Sequence, residues 1–239
     1  YETFSGMVWV NNSKYISTYD ANNNLTQETY QVWVVAAWVN DSRSTYTYDA
    51  NDNQIIYLSE TWDITNNVWK NSNQYLITYD ANDNPTGYLF QSWDATNNVW
   101  KNDYRYSYTY NSNNKLIDGL YQSWDISVWK NESRFTYVYN ANNDPIEYLY
   151  QTWDVTVWKN DSKYTFLYDS NNNNTEETYQ SWDGTSWVNQ YKYLYTYVPE
   201  TSIVLTSPNG GENWPVGASR NITWTSSNIA NIKLQYSTN

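Results

Sequence analysis

Residues 150–178 read YQTWDVTVWKNDSKYTFLYDSNNNNTEET, and this stretch decides the fold. It has no apolar periodicity of 3.6 residues. It has two alternating runs rich in Trp, Tyr, Thr and Val, separated by turn residues, which is the pattern of two β-strands. The same unit recurs along the chain. Trp9, Trp38, Trp69, Trp100, Trp129, Trp158 and Trp187 open segments such as VWKN or SWVN, spaced 29, 31, 31, 29, 29 and 29 residues apart. Trp33, Trp62, Trp93, Trp124, Trp153 and Trp182 precede them, mostly inside YQSWD-like segments, and Phe4 fills the slot before Trp9. A fixed period in this range marks an array of supersecondary units. The units are 1–29, 30–58, 59–89, 90–120, 121–149, 150–178 and a truncated copy over 179–198.

Loop lengths set the register. The 29-residue units place two residues in the first turn, as in Asp125-Ile126-Ser127-Val128 and Asp154-Val155-Thr156-Val157, and the 31-residue units place four, Ile64 to Asn67 and Ala95 to Asn98. Both are common hairpin lengths, and a two-residue insertion preserves side-chain facing. Trp62 is therefore expected opposite Trp69, Trp124 opposite Trp129 and Trp153 opposite Trp158. The second turn reads YDANNN, YDANDN, YDANDN, YNSNNK, YNANND and YDSNNN. An even loop here would flip the Trp face at every repeat, so a three-residue loop is expected, a type I turn closed by one left-handed residue. Asp or Asn at its first position suits type I, and Asn or Asp tolerates the left-handed position. That position is assigned to Asn23, Asp52, Asp83, Asn113, Asn143 and Asn172.

Two faces follow from strict alternation. One carries Leu149, Gln151, Trp153, Trp158, Asn160, Ser162, Tyr164, Phe166 and Tyr168. The other carries Tyr148, Tyr150, Thr152, Lys159, Asp161, Lys163, Thr165 and Leu167, with Arg134 stacked over Tyr150. The expectation is an all-β antiparallel meander of two-stranded 29–31-residue repeats with the Trp face buried. The repeat-core aromatics are Trp62, Trp69, Trp93, Trp100, Trp124, Trp129, Trp153, Trp158, Trp182 and Trp187.

The chain has 239 residues, 19% of them aromatic, and a formal net charge of −12. That charge argues against nucleic acid and anionic membranes as partners. No apolar run approaches the length of a membrane span, and no signal peptide is visible. The first unit starts mid-motif, with YETFSGMVW aligning on YQSWDGTSW, so the chain reads as a piece of something longer. The absence of Cys removes disulfides and thiolate metal sites.

YDANDN at 48–53 and 79–84 resembles the Tyr-Asp repeat signature of RHS-type proteins, written YDxxGN. The family glycine is Asn or Asp in every copy here. The longer YQxWD…W.N.S.Y.Y.YDAN unit is similar to tandem repeats of large secreted Bacteroidetes-type surface proteins, many exported by type IX secretion. In the tail that begins at Ile203, SPNGGENWPVGASRNITWTSS (207–227) resembles the start of an Ig-like β-sandwich family that includes the N-terminal domain of Ser/Thr-rich GPI-anchored and cell-wall-synthesis proteins. The resemblance implies a linker over 199–202 and a partial Ig-like β-sandwich over 203–239.

With no His and no Cys, Ser-His-Asp triads, Cys nucleophiles and His-ligated metals are excluded. The Asp residues recur at equivalent turn positions, whereas catalysis needs one unique constellation, so no catalytic residue and no enzyme activity is expected. Calcium is the one cofactor considered: Asp49, Asn51 and Asn53 have the 1-3-5 oxygen spacing of calcium loops, with Glu60 at position 12. Against it, position 12 is Gln31, Gln91, Gln122, Gln151 and Gln180 in the other copies, which favours Asx-stabilised turns. The expected function is an extracellular structural or adhesive repeat protein of a bacterial cell surface, secreted and self-assembling into a filament by head-to-tail or edge-strand contacts. The alternatives are an aromatic-platform carbohydrate-binding module, with surface glycans as partners, and an RHS-like shell segment.

Overall fold

A computed structural model describes residues 2–5, 8–197, 201–215, 217, 219–229 and 231–233. All regular structure among them is β, in seventeen strands. Turns of two or four residues alternate with five-residue connections between strands of nine to twelve residues through most of the array. Thirteen strands form one antiparallel meander in sequence order, from β3 (Ser13–Tyr19) to β15 (Trp187–Leu194). β1 (Glu2–Ser5) and β2 (Val8–Asn11) pair separately, with Phe4 opposite Trp9. From the third repeat to the sixth, each contributes one ten-residue strand ending in Trp-Asp and one twelve-residue strand starting at Val-Trp; in the second they end at Trp33-Val34 and start at Ala37-Trp38. Examples are β6 (Gln54–Asp63) with β7 (Val68–Tyr79), and β12 (Pro145–Asp154) with β13 (Val157–Tyr168).

The first hairpin has the expected register. Trp33 pairs with Trp38, Trp62 with Trp69, Trp93 with Trp100, Trp124 with Trp129 and Trp153 with Trp158. The second turn is the expected three-residue loop. At Asp49, the Asp52 N–H donates to the Asp49 carbonyl at 3.3 Å and the Asp49 N–H to the Asn53 carbonyl at 2.9 Å. Oδ1 of Asp49 accepts the N–H groups of Asn51 and Asn53, both at 2.9 Å. The closing residue is left-handed at Asn23, Asp52, Asp83, Asn143 and Asn172, with φ between 61° and 69°. In the YNSNNK copy it is Asn114 (φ 57°) rather than Asn113. Asn114 is the fifth residue of that segment, as Asp52 is of YDANDN, so the same geometry falls one residue later than assigned.

The Tyr of four of the YD or YN pairs has a defined role. Its hydroxyl donates to a backbone carbonyl of the preceding repeat: Tyr48 to Leu25 at 2.9 Å, Tyr79 to Gln54 at 3.0 Å, Tyr110 to Pro85 at 3.0 Å and Tyr139 to Leu116 at 2.8 Å. Side-chain amides then link successive turns. Asn22 and Asn24 donate to Asp52 Oδ1 at 2.9 and 2.8 Å, and Asn51 and Asn53 to Asp83 Oδ1 at 2.9 and 2.7 Å. The turn segment thus binds neighbour to neighbour as well as reversing the chain.

The faces depart from strict alternation. Each twelve-residue strand carries an extra residue three positions after its Trp, directly after the Asn: Asp41, Ser72, Asp103, Glu132 and Asp161. A bulge moves every later side chain to the opposite face. Tyr150 therefore pairs with Ser162, Leu149 with Lys163 and Tyr148 with Tyr164. Tyr164 and Phe166 lie on the Tyr148 face and Lys163 lies on the Trp face, the reverse of the assignment from alternation. Ser162 likewise lies with Tyr150. Arg134 pairs with Gln151 on the Trp face instead of covering Tyr150. A second bulge before the next strand, as between Val138 and Tyr139, restores the parity. Trp129 and Trp158 consequently share a face, as the odd-length loop requires.

Rings continue across the second face. Centroids are 4.8 Å apart for Tyr75 and Phe90, 4.8 Å for Phe90 and Tyr104, 4.9 Å for Tyr106 and Tyr121, and 4.8 Å for Tyr164 and Tyr179. Among the described residues no large apolar side chain is fully buried, which corrects the expectation of one buried face. The reason is topological: a meander in which each strand pairs only with its sequence neighbours produces a single layer. Its cohesion comes from cross-strand pairs, worth about 0.2–1 kcal/mol each, with aromatic pairs adding about 0.5–1.5 kcal/mol.

The second compact unit comprises Tyr168–Thr175 and Leu194–Asn239. β16 (Ser202–Ser207) pairs antiparallel with β17 (Thr223–Ser227), with Leu205 opposite Trp224. In the SPNGGE segment, Glu212 accepts the N–H groups of Asn209 at 2.8 Å and Gly210 at 2.9 Å, which lowers its pKa. Residues 199 and 200 of the expected linker, and 216, 218, 230 and 234–239 of the expected sandwich, lie outside the described residues.

Candidate functional site

The Trp-bearing end of each hairpin stands apart from the next hairpin. The pairing of β7 with β8 (Pro85–Asp94) ends at Asn73 opposite Ser92, so Val68 to Ser72 and Trp93 to Asp94 are not paired to each other. The same break follows Ser133 opposite Thr152 between β11 (Val128–Tyr139) and β12. It falls at the bulge, where added twist turns the strand away from its neighbour. Each repeat therefore ends in a two-stranded finger.

The finger is built around an indole pair. The rings of Trp62–Trp69, Trp93–Trp100, Trp124–Trp129 and Trp153–Trp158 meet edge to face, with centroids 4.9–5.0 Å apart and planes at 64–67°. Trp182–Trp187 repeats the arrangement at 5.1 Å and 68°. A cation of the preceding repeat lies over the second indole: Lys14 over Trp38 at 4.5 Å, Arg43 over Trp69 at 4.7 Å, Arg105 over Trp129 at 4.6 Å, Arg134 over Trp158 at 5.4 Å and Lys163 over Trp187 at 4.8 Å. Such contacts stabilise by about 0.5–1 kcal/mol at exposed sites. The signal in the sequence is a basic residue five positions after a Trp. It is missed when strict alternation places that residue on the wrong face.

Below the indoles runs a polar row. The amides of Gln31, Gln91, Gln122, Gln151 and Gln180 each donate to the Asn on the facing strand, at 2.7–2.8 Å. In the third repeat the row contains Glu60, 7% exposed, paired to Arg43 at 2.6 Å. This places the calcium candidates. Asp49, Asn51 and Asn53 come together in one turn, where the amides of Asn51 and Asn53 donate to Asp83, while Glu60 points to Arg43 on the sheet. Among the described residues, no group of three or more carboxylates, His or Cys is arranged to hold a metal ion.

Between fingers lie recurring clefts. One of about 650 Å³ is lined by Trp69, Lys70, Asn71, Trp93 and Ala95. A second, about 480 Å³, has Trp129, Lys130, Asn131, Trp153 and Val155. A third, about 340 Å³, has Trp158, Lys159, Asn160, Trp182 and Gly184. Each cleft takes the second indole of one finger, its following Lys and Asn, and the first indole and turn residue of the next. The lysines are charge-balanced within their own fingers: Lys70 pairs with Asp63, Lys101 with Asp94, Lys130 with Asp125 and Lys159 with Asp154. The ammonium groups, followed by the amides of Asn66 and Asn97, hold the Asp63 and Asp94 carboxyls well below the usual carboxylate range.

The finger tips carry backbone strain. Ile126 (φ 56°) and Val155 (φ 54°) are left-handed, as are Val35 (φ 46°) and Ala36 (φ 68°). A β-branched residue in that region is a genuine outlier. These side chains also stand in solvent, Val35 at 95%, Ile126 at 93% and Val155 at 84% exposure. The type I′ and II′ turns that join close strands favour Asn or Gly at such positions.

The chain matches no known protein-family model and no curated protein. Among solved structures it is similar to a protein of unknown function from Bacteroides fragilis, at 15% identity and a TM-score of 0.42, over 52% of this chain and 91% of that one. It is also similar to a DUF3836 family protein from Bacteroides vulgatus, at 19% identity and a TM-score of 0.32, over 38% and 90% of the two chains. A structure of TcdB2-TccC3 is matched at 11% identity and a TM-score of 0.30, over 79% of this chain and 12% of that one.

Proposed function

We propose that this chain is part of an extracellular structural and adhesive repeat protein of a bacterial cell surface, without a catalytic role, that self-assembles into a filament. One observation carries the reading. Most chemical features of the array recur with the repeat, and the sheet is a single layer with two terminal strands. Indole pairs and Gln–Asn pairs brace each hairpin, and cation–indole contacts and turn amides join one repeat to the next. A reaction needs one unique set of groups, and repetition dilutes none of these into such a set.

β3 and β15 end the strand order, and each presents an edge to a neighbouring chain. Joining β15 of one copy to β3 of the next is a head-to-tail contact that does not close, which is the geometry of a filament. Sedimentation and negative-stain imaging at micromolar concentration test this. Long assemblies that grow with concentration are expected. The Tyr195 N–H bonds inward to Thr175, so its neighbour Leu194 faces the open edge, and Leu194→Pro in β15 should shorten the assemblies by removing an edge donor. A compact monomer at every concentration ends the filament reading.

A further inference from the structure

We propose that the clefts between the Trp fingers form one continuous binding track for an extended, neutral, β-1,4-linked polysaccharide lying across the strands. The proposal rests on the surface-adhesive reading above, and it adds the ligand class and the residues that hold it.

Spacing is the first argument. Each repeat adds two strands, and paired strands lie about 4.7–4.9 Å apart, so successive fingers leave the sheet at intervals of about 9.5 Å. An extended β-1,4-linked hexose chain turns over at each sugar and presents the same ring face once per disaccharide, a step of about the same length. A polymer in that conformation offers one ring to each cleft as it turns with the twist of the sheet. A helical α-linked chain loses register after one or two clefts.

Lining chemistry is the second argument. A pyranose ring has an apolar C–H face and a hydroxyl rim. Each cleft offers indoles on both walls, Trp129 and Trp153 for example, for the C–H faces. It offers an Asn amide and a Lys–Asp pair, Asn131 and Lys130 with Asp125, for the hydroxyls. The lysines are neutralised inside their fingers and the chain carries a net charge of −12, so an anionic polymer gains nothing there and is repelled at long range. A neutral glycan is not.

The strained tips are the third. Val155 lines the cleft between Trp129 and Trp153 while held at positive φ and largely in solvent. Asn or Gly would fit the turn better. An aliphatic side chain kept there at a conformational cost is explained by a contact made in the bound state, since such outliers concentrate at ligand clamps. Val35 and Ile126 occupy the equivalent position on other fingers.

The test uses the whole chain and isothermal titration with β-1,4-linked glucose oligomers of two, four and six units. The α-linked hexamer of glucose and zwitterionic phosphatidylcholine vesicles serve as comparators. Affinity should rise about tenfold with each added disaccharide as further clefts engage, and the α-linked hexamer should bind at least tenfold more weakly than its β-linked counterpart. Val155→Asn, which relieves the turn, should keep the fold and lose affinity. Trp153→Tyr should retain part of the binding that Trp153→Ala loses, with circular dichroism confirming that the sheet persists. No binding of the β-linked hexamer by the folded chain overturns the proposal. So does binding indifferent to length or linkage, or adsorption to vesicles without glycan binding. A chain that binds glycan and remains monomeric loses the filament and keeps the track, and filaments that bind no glycan do the reverse.

Discussion

Arg43 on β5 (Ala37–Tyr48) donates to Glu60 on β6 at 2.6 Å while its guanidinium sits 4.7 Å from the centre of the Trp69 ring on β7. One side chain thus ties three strands. In the next repeat the same places hold Gln74 and Gln91, bonded at 2.6 Å. Removing Arg43 leaves the Glu60 carboxylate buried without its partner, which costs about 1–3 kcal/mol. Arg43→Ala should therefore lower stability by about 2 kcal/mol in urea denaturation. The double variant Arg43→Gln/Glu60→Gln, which copies the neighbouring repeat, should recover most of that loss.

The turn tips offer the opposite sign. Ile126 is left-handed and almost wholly exposed, so its side chain contributes strain and little packing. The left-handed conformation costs a non-glycine residue about 1–2 kcal/mol. Ile126→Gly should raise stability by about 1 kcal/mol in thermal unfolding, even though it enlarges the unfolded ensemble. Asp52→Gly should gain less, because Asp52 also accepts the amides of Asn22 and Asn24.

Gly119 on β10 (Leu116–Asp125) lies under the ring of Phe135, where an added Cβ would collide with the ring. Phe135 also stacks on Tyr148 at 5.8 Å. Overpacking of this kind costs about 1–3 kcal/mol. Gly119→Ala should lower stability by about 2 kcal/mol, and adding Phe135→Leu should cost less than it does alone, a coupling that a double-mutant cycle measures.

Stability should fall at both ends of the pH scale. The Ser186 and Thr185 N–H groups hold the Asp183 carboxyl down at about 2, and Asp20, Asp49, Asp80 and Asp169 are lowered by Asn N–H and amide donors in their own turns. An unfolded Asp titrates near 3.9. A depressed folded value gives stability that is present above about pH 4 and lost as pH falls toward 2. At the other end, the Tyr164 hydroxyl pushes Tyr191 up to about 12, and burial raises Tyr104. A raised folded value gives stability held below about pH 10 and lost as pH rises through 12. Circular dichroism from pH 2 to 12 should show a plateau between about 5 and 9, with sheet signal lost at both extremes.

Sequence alone determined the repeat, the two strands per unit, the indole pairs and the three-residue turn. Each depends on local chemistry: alternation, loop length, and the tolerance of Asn and Asp for a left-handed backbone. The tertiary structure decided three other things. A bulge inserts one ordinary residue, and Asp161 or Ser72 does not look different from a residue on an alternating strand, so the transfer of Tyr164 and Phe166 to the opposite face leaves no mark in the sequence. The side chains that meet across two strand spacings, such as Arg134 and Trp158, follow from that transfer. Finally, Trp and Tyr at every strand suggest a covered core because aromatics are costly to leave in water. Only the pairing order shows one layer, in which those rings shield each other edge to face across neighbouring strands and the clefts between fingers stay open.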